Sequence, residues 1–198
     1  MSQFQGITVS PEVIRAAAAG DEGAHEVIYR ACERTVYTLV RRLIPNAAVA
    51  DDLFQEVFVE ILRSAGSYTG EGAFGGWVRT IAVNKCLAYL RSPWHRSLLW
   101  LDADQETSNS LVDATPRPDV QMTSRCDLER ALERISPLSR SVVWLHDVEG
   151  YTHQEIGRLL GRTSSFSKSQ LSRAHTRLRE LLDPSEEPLP CTPISSST

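Results

Sequence analysis

Apolar side chains recur every third or fourth position through two blocks of this chain, and no stretch alternates them convincingly as a sheet strand would. In the first block Val27, Ile28, Val36, Leu39, Val40 and Leu43 keep that spacing, followed by Leu53, Val57, Ile61 and Leu62. In the second, Leu128, Leu132 and Ile135 lead on to Ile156, Leu159 and Leu160, and then to Leu171, Ala174, Leu178, Leu181 and Leu182. Such stripes are stable only when helices bury them against one another. The expectation is an all-α protein of two small helical domains joined by a flexible acidic linker. The domains are expected at 1–96 and 123–183, the linker at 97–122 and a disordered tail at 184–198. The linker is rich in Asp, Ser, Thr and Pro and lacks periodicity. Its Leu98-Leu99-Trp100-Leu101 cluster suggests docking on a domain or a partner.

Local punctuation divides the blocks into helices. Ser10-Pro11-Glu12 reads as an N-cap followed by a first-turn proline, and Pro45-Asn46 breaks the helix that carries Leu43. The next helix fades at Gly66, and a loop from Ser67 to Gly72 precedes a helix expected over 73–90, closed by Ser92-Pro93. In the second block one helix ends before Pro137, and another is expected over 139–148, stopped by Glu149-Gly150. Thr152 and Glu155 have the spacing of a capping box, and Gly161 supplies a break before the last helix.

Composition excludes more than it assigns. No apolar run is long enough to cross a bilayer, and the N-terminal MSQFQGITVS lacks the basic-then-apolar order of a secretory signal, so the expected location is cytoplasmic. Cys32, Cys86, Cys126 and Cys191 are scattered without a C-x-x-C pair, and the five histidines are equally dispersed, so no disulfide, metal or cofactor is expected. No Gly-rich phosphate loop or nucleophile motif supports an enzyme. The net charge of −4 hides a local excess: residues 151–179 carry six basic side chains against the single Glu155. A basic stretch of that kind is the footprint of a nucleic-acid partner.

That stretch has the order helix, Gly-containing turn, helix, the pattern of a helix-turn-helix. The second helix of such a motif enters the major groove with its N-terminal part, here bearing Lys168, Ser169, Gln170, Ser172 and Arg173, with Arg177 a turn further on. Arginine can pair with guanine edges and glutamine with adenine, while lysine and serine also serve as phosphate anchors. A plain helical hairpin with a solvated basic face fits the periodicity as well.

The sequence YTHQEIGRLLGRTSSFSKSQLSRAHTRLRELL resembles the DNA-binding region four of extracytoplasmic-function sigma factors, in its Glu155-Ile156 pair, Leu160-Gly161 turn and Lys168-Ser169-x-Leu171-x-Arg173-Ala174 helix. LERALERISPLSRSVVWLHDVEG resembles the start of that region. One departure is Thr163-Ser164-Ser165-Phe166-Ser167, where members often carry Pro-x-Gly-Thr-Val. In the first block DDLFQEVFVEIL resembles region two, and FGGWVRTIAVNKCLAYLR the promoter-melting helix. The resemblance implies a transcription initiation factor with no catalysis of its own. Its implied partners are core RNA polymerase and promoter DNA, both as duplex and as melted strand, with an anti-sigma factor as a candidate third.

The resemblance also implies roles for residues. Asp51, Asp52, Gln55 and Glu56 would meet the polymerase clamp. Tyr68, Trp77, Arg79, Asn84 and Lys85 would melt and hold the downstream promoter element. Lys168, Ser169, Gln170, Ser172, Arg173 and Arg177 would recognise the upstream element. Each has a plainer alternative: an acidic solvated face on the helix after Asn46, a half-buried loop anchor at Tyr68, a core residue at Trp77. Two other functions compete. A dimeric helix-turn-helix repressor or activator would read half-sites without polymerase. A metal-dependent hydrolase would use Asp51, Asp52 and Glu56 with a histidine.

Overall fold

The computed structural model describes residues 3–92 and 124–182. The expected linker and tail, with the Leu98–Leu101 cluster, lie outside the described residues. Among the described residues there is no strand, and the all-α expectation holds. No helix there is long and apolar enough to cross a membrane.

The first helical unit contains α1 (Pro11–Ala18), α2 (Glu22–Leu43), α3 (Ala47–Ser64) and α4 (Phe74–Arg91). Ser10 caps α1, its Oγ accepting from the Val13 N–H at 3.4 Å, and Pro11 sits in the first turn where its missing N–H costs nothing. A further break falls at Gly20-Asp21, between α1 and α2. Gly20 takes the left-handed φ of 89°, Asp21 caps α2, and His25 Nε2 donates to the Ala17 carbonyl at 2.9 Å. Asn46 caps α3 through the Val49 N–H, as the Pro45-Asn46 break implied.

The core is made where the stripes meet. Ile28, Cys32, Val36, Leu39, Val40 and Leu43 of α2 face Leu53, Val57, Phe58 and Ile61 of α3 and Val78, Ala82, Val83, Cys86, Leu87 and Leu90 of α4, all buried. Each fully buried aliphatic side chain contributes roughly 1.5–3 kcal/mol. A short 3-10 turn, Gln3–Gly6, packs against α4 and inserts the buried Phe4. It approaches so closely that a Cβ at Gly75 would lie 1.9 Å from the Phe4 carbonyl oxygen.

The second unit contains α5 (Ser124–Glu133), α6 (Pro137–Val143), α7 (His153–Leu160) and α8 (Ser164–Leu182). The helix expected over 139–148 begins two residues earlier, because Ser136 is its cap and Pro137 its first residue. It ends in a π turn, Trp144–Val148, where the Glu149 N–H reaches back to the Trp144 carbonyl at 3.0 Å. Its core joins Leu132, Ile135, Leu138, Val142 and Leu145 to Ile156, Leu160, Leu171, Ala174 and Leu178.

Candidate nucleic-acid interface

The α7–turn–α8 segment is built by three local devices. In the capping box of α7, Glu155 N–H donates to Thr152 Oγ1 at 3.3 Å and Thr152 N–H donates to Glu155 Oε2 at 2.8 Å. The hydrogen bond from the Thr152 backbone, then that from its hydroxyl, hold the Glu155 carboxyl below its ordinary range. Gly161 closes α7 in the left-handed region at φ 65°. Gly157 lets the turn fold onto α7, since a Cβ there would meet the Arg162 carbonyl oxygen at 2.8 Å. The variant Thr163–Ser167 segment still starts a helix: Thr163 Oγ1 accepts from the Phe166 N–H at 3.2 Å, and α8 begins at Ser164.

On α8, Lys168, Ser169, Ser172 and Arg173 are exposed and line one surface depression. Arg177 continues the exposed row a turn later, paired with Glu180 at 2.9 Å. Gln170, expected among the base readers, is not on this face. It is 5% exposed, because its position shares the inward stripe of Ser167, Leu171, Ala174 and Leu178. The histidines are less dispersed in space than in sequence. Asp147 accepts from His146 Nδ1 and from His175 Nε2, each at 2.7 Å, tying α8 to the π turn. Burial alone would raise the Asp147 carboxyl, but these hydrogen bonds and the charges behind them outweigh it and hold it low. His153 stacks on His146 with centroids 4.5 Å apart and contacts Ser167 Oγ. Partial burial, then the proximity of His146 and Lys168, pushes the His153 imidazole down. Linear spacing gave no signal of this cluster; the π turn, α7 and α8 assemble it together.

In the first unit, Tyr68 lies at the end of the 3-10 turn Ala65–Ser67, half-buried. Its ring stands edge-on to Phe74 and tilted to Trp77, with centroids 5.4 and 5.6 Å away, and its hydroxyl donates to the Gly72 carbonyl at 2.7 Å. These three rings form one wall between the loop and α4. Asn84 is exposed on α4, while Lys85 pairs with Glu60 at 3.2 Å. Arg79 is half-buried and turned toward the second unit, its Nη1 donating to the Glu149 carbonyl at 2.8 Å.

On α3, Asp51, Asp52, Gln55 and Glu56 are all exposed, opposite the buried Leu53, Val57 and Ile61. The helix is therefore amphipathic in the expected sense. An aromatic group adjoins that face: Tyr29 and Tyr37 of α2 with Phe54 and Phe58 of α3, whose rings lie 4.7–6.3 Å apart. Asp51 and Gln55 line the depression that these rings form, and Asp51 accepts from the Tyr37 hydroxyl at 3.1 Å. Tyr29 and Tyr37 could have been found in the sequence, because they fall outside the apolar stripe of α2. Such a surface offers flat apolar faces rimmed by acceptors, suited to a basic protein partner. Among the described residues no three His, Cys, Asp or Glu side chains group so as to hold a metal ion.

The chain matches the models of Sigma-70 region 2 over residues 28–96 and Sigma-70, region 4 over residues 127–178. It is 32% identical over 164 residues to the RNA polymerase sigma factor CarQ of Myxococcus xanthus, covering 82% of this chain and 91% of CarQ. It is 31% identical over 173 residues to the ECF RNA polymerase sigma factor SigM of Mycobacterium tuberculosis, covering 86% and 83% respectively. Among solved structures, it shares its fold with RpoE from Bartonella quintana, crystallised with the anti-sigma factor NepR: TM-score 0.51, 21% identity, 81% of this chain and 98% of that one. CnrH, solved with the cytosolic domain of CnrY, gives TM-score 0.50 at 20% identity, over 89% and 97%. Both ordered regions and the long, high-coverage relatives lead to one conclusion: the chain belongs to the extracytoplasmic-function group of the sigma-70 family, the RNA polymerase sigma factors that direct initiation at promoters.

Proposed function

We propose a division of labour among three surfaces of this sigma factor. The Asp51, Asp52, Gln55 and Glu56 face of α3 docks on core RNA polymerase. The wall of Tyr68 and Trp77, with Arg79, Asn84 and Lys85 on α4, receives the melted downstream element. The row Lys168, Ser169, Ser172, Arg173 and Arg177 on α8 meets the upstream element as duplex. The factor acts in the cytoplasm, has no catalysis of its own, and takes an anti-sigma factor as a further partner.

The observation that carries this reading is the exposed α8 row, four polar and basic side chains around one depression on the second helix of a helix-turn-helix. It has the cationic and hydrogen-bonding groups that phosphates and base edges require. The two DNA surfaces separate experimentally. Lys168→Ala and Arg173→Ala weaken upstream footprints; a lost base contact costs roughly 1–3 kcal/mol at one position, and a lost phosphate contact weakens all sequences alike. Tyr68→Ala and Asn84→Ala leave those footprints intact but reduce opening of duplex promoters, a defect relieved on templates already mismatched across the melted segment. Loss of one stacking aromatic is worth roughly 1–3 kcal/mol per base, and pre-melting removes the unstacking cost that it offsets. Normal permanganate reactivity in both variants makes Tyr68 and Asn84 structural residues and overturns their assignment.

A further inference from the structure

A continuous polar chain begins and ends on α8. His175 Nε2 donates to Asp147 Oδ2 at 2.7 Å, and the other oxygen of that carboxylate accepts from His146 Nδ1, also at 2.7 Å. The His146 ring stacks on His153 with 18° between their planes, and His153 Nδ1 shares a 3.0 Å hydrogen bond with Ser167 Oγ, back on α8. The two ends, Ser167 and His175, are separated by about 12 Å along the helix axis. The exposed row from Lys168 to Arg173 lies between them. Lys168 adjoins the chain as well: partial burial, then His146 and Lys168, push the His153 imidazole down.

The links through Asp147 stabilise little. The Asp147, His146 and His175 side chains are each about one-third exposed, where water screens a charged pair. What holds α8 to its unit is the buried stripe of Leu171, Ala174 and Leu178, and the hydrophobic effect behind it has no direction. Such a stripe fixes which face turns inward but tolerates small rotations and slips. Hydrogen bonds are directional, so two of them at either end of the row define its rotation and its axial register. Ser167 is 0% exposed, and His153 supplies its hydroxyl with a partner.

We propose that Asp147, His146, His153 and His175 are positioning residues for upstream recognition, holding α8 at the rotation that aims Lys168 and Arg173 at base edges. This inference rests on the reading of the α8 row given above. A base-edge contact needs its atoms within the narrow range of a hydrogen bond, whereas a flexible cationic side chain meets a phosphate from many directions. A loosened α8 therefore loses discrimination between sequences before it loses affinity for DNA. The sign of the effect separates positioning from electrostatics. Asp147 is an anion beside a cationic row, so through charge alone its removal strengthens binding to every sequence. Through positioning, its removal weakens the correct sequence relative to all others.

The test uses holoenzyme assembled from core polymerase and the full chain. The probes are fluorescein-labelled promoter fragments recovered from run-off transcription, each with its upstream segment intact or scrambled. With Asp147→Ala the ratio of the two affinities falls about five- to tenfold, as for one lost base contact, while affinity for the scrambled fragment holds or rises. His175→Ala gives the same fall, and the double variant falls no further, because both cut one link. His175→Gln, whose amide still donates to Asp147, keeps the wild-type ratio. The urea midpoint of the chain moves little in all of them. A uniform gain in affinity with an unchanged ratio overturns the proposal. So do additive losses in the double variant, a Gln variant as poor as the Ala variant, or a fall in ratio that comes only with a collapsed urea transition. Absence of chain-dependent transcripts from the unaltered protein overturns the functional reading and this inference with it; a working holoenzyme that discriminates equally well without Asp147 overturns the positioning role alone.

Discussion

Gly157 occupies a position where one methyl group decides whether the turn can close. A Cβ there would lie 2.8 Å from the Arg162 carbonyl oxygen and 2.9 Å from the Thr163 carbonyl carbon, both backbone atoms that cannot swing aside. Gly157→Ala is expected to cost about 1–3 kcal/mol, the range for forced overpacking, read as a lower urea midpoint for the second unit. Arg158→Ala, one residue along on the exposed face, should stay within about 0.5 kcal/mol. An equal effect of both would mean that the turn does not rest on Gly157. The buried Cys32 and Cys86 show the opposite use of a tight environment. Burial pushes both thiols up to about 12, so neither supplies a reactive thiolate at neutral pH. At the same scale Gln170 shows how an identity can mislead: its amide suits adenine, but its register puts it in the core.

At the scale of elements, the α3 helix and the α7 cap make separable predictions. Asp51→Lys with Asp52→Lys alters only exposed positions, so helicity and stability should change little while affinity for core polymerase falls. Unchanged affinity in a pull-down with core enzyme would remove α3 from the docking surface. Thr152→Ala should cost about 1 kcal/mol through loss of the cap. The Glu155 carboxyl titrates below its unfolded value near 4.5 because it accepts hydrogen bonds in the folded state. Its contribution is therefore complete above that unfolded value and is lost as pH falls through the lower folded one. The stability gap between wild type and Glu155→Ala should close on acidification through that window; a gap constant with pH would show that the charge plays no part. Elements were legible in the sequence where a signal was local. Ser10-Pro11, Asn46, Thr152-x-x-Glu155 and Gly161 each sit at the helix end that they marked. The π turn at Trp144–Val148 was not legible, because its backbone reach of five residues leaves the apolar spacing of α6 nearly unchanged.

For the whole molecule, the order of two regional motifs along the chain carried the family, while composition pointed away from it. The net charge of −4 reflects acid residues placed elsewhere than on 151–179. What the sequence could not reveal is long-range: the gathering of His146, His153 and His175 around Asp147, the four-ring surface beside Asp51, and the engagement of Arg42 and Arg79 by the second unit. Each joins residues from different helices, and helical periodicity records only which face is apolar, not which neighbour it meets. The same limit hides from the sequence that Arg79 meets Glu149 and Tyr151. Whether this chain gives core polymerase its choice of promoter is decided by run-off transcription of a genomic fragment library with core enzyme, with and without the purified chain. Discrete transcripts are expected that require the chain and disappear with Asp51→Lys/Asp52→Lys. Transcripts that are identical with and without it would show that the chain does not select promoters.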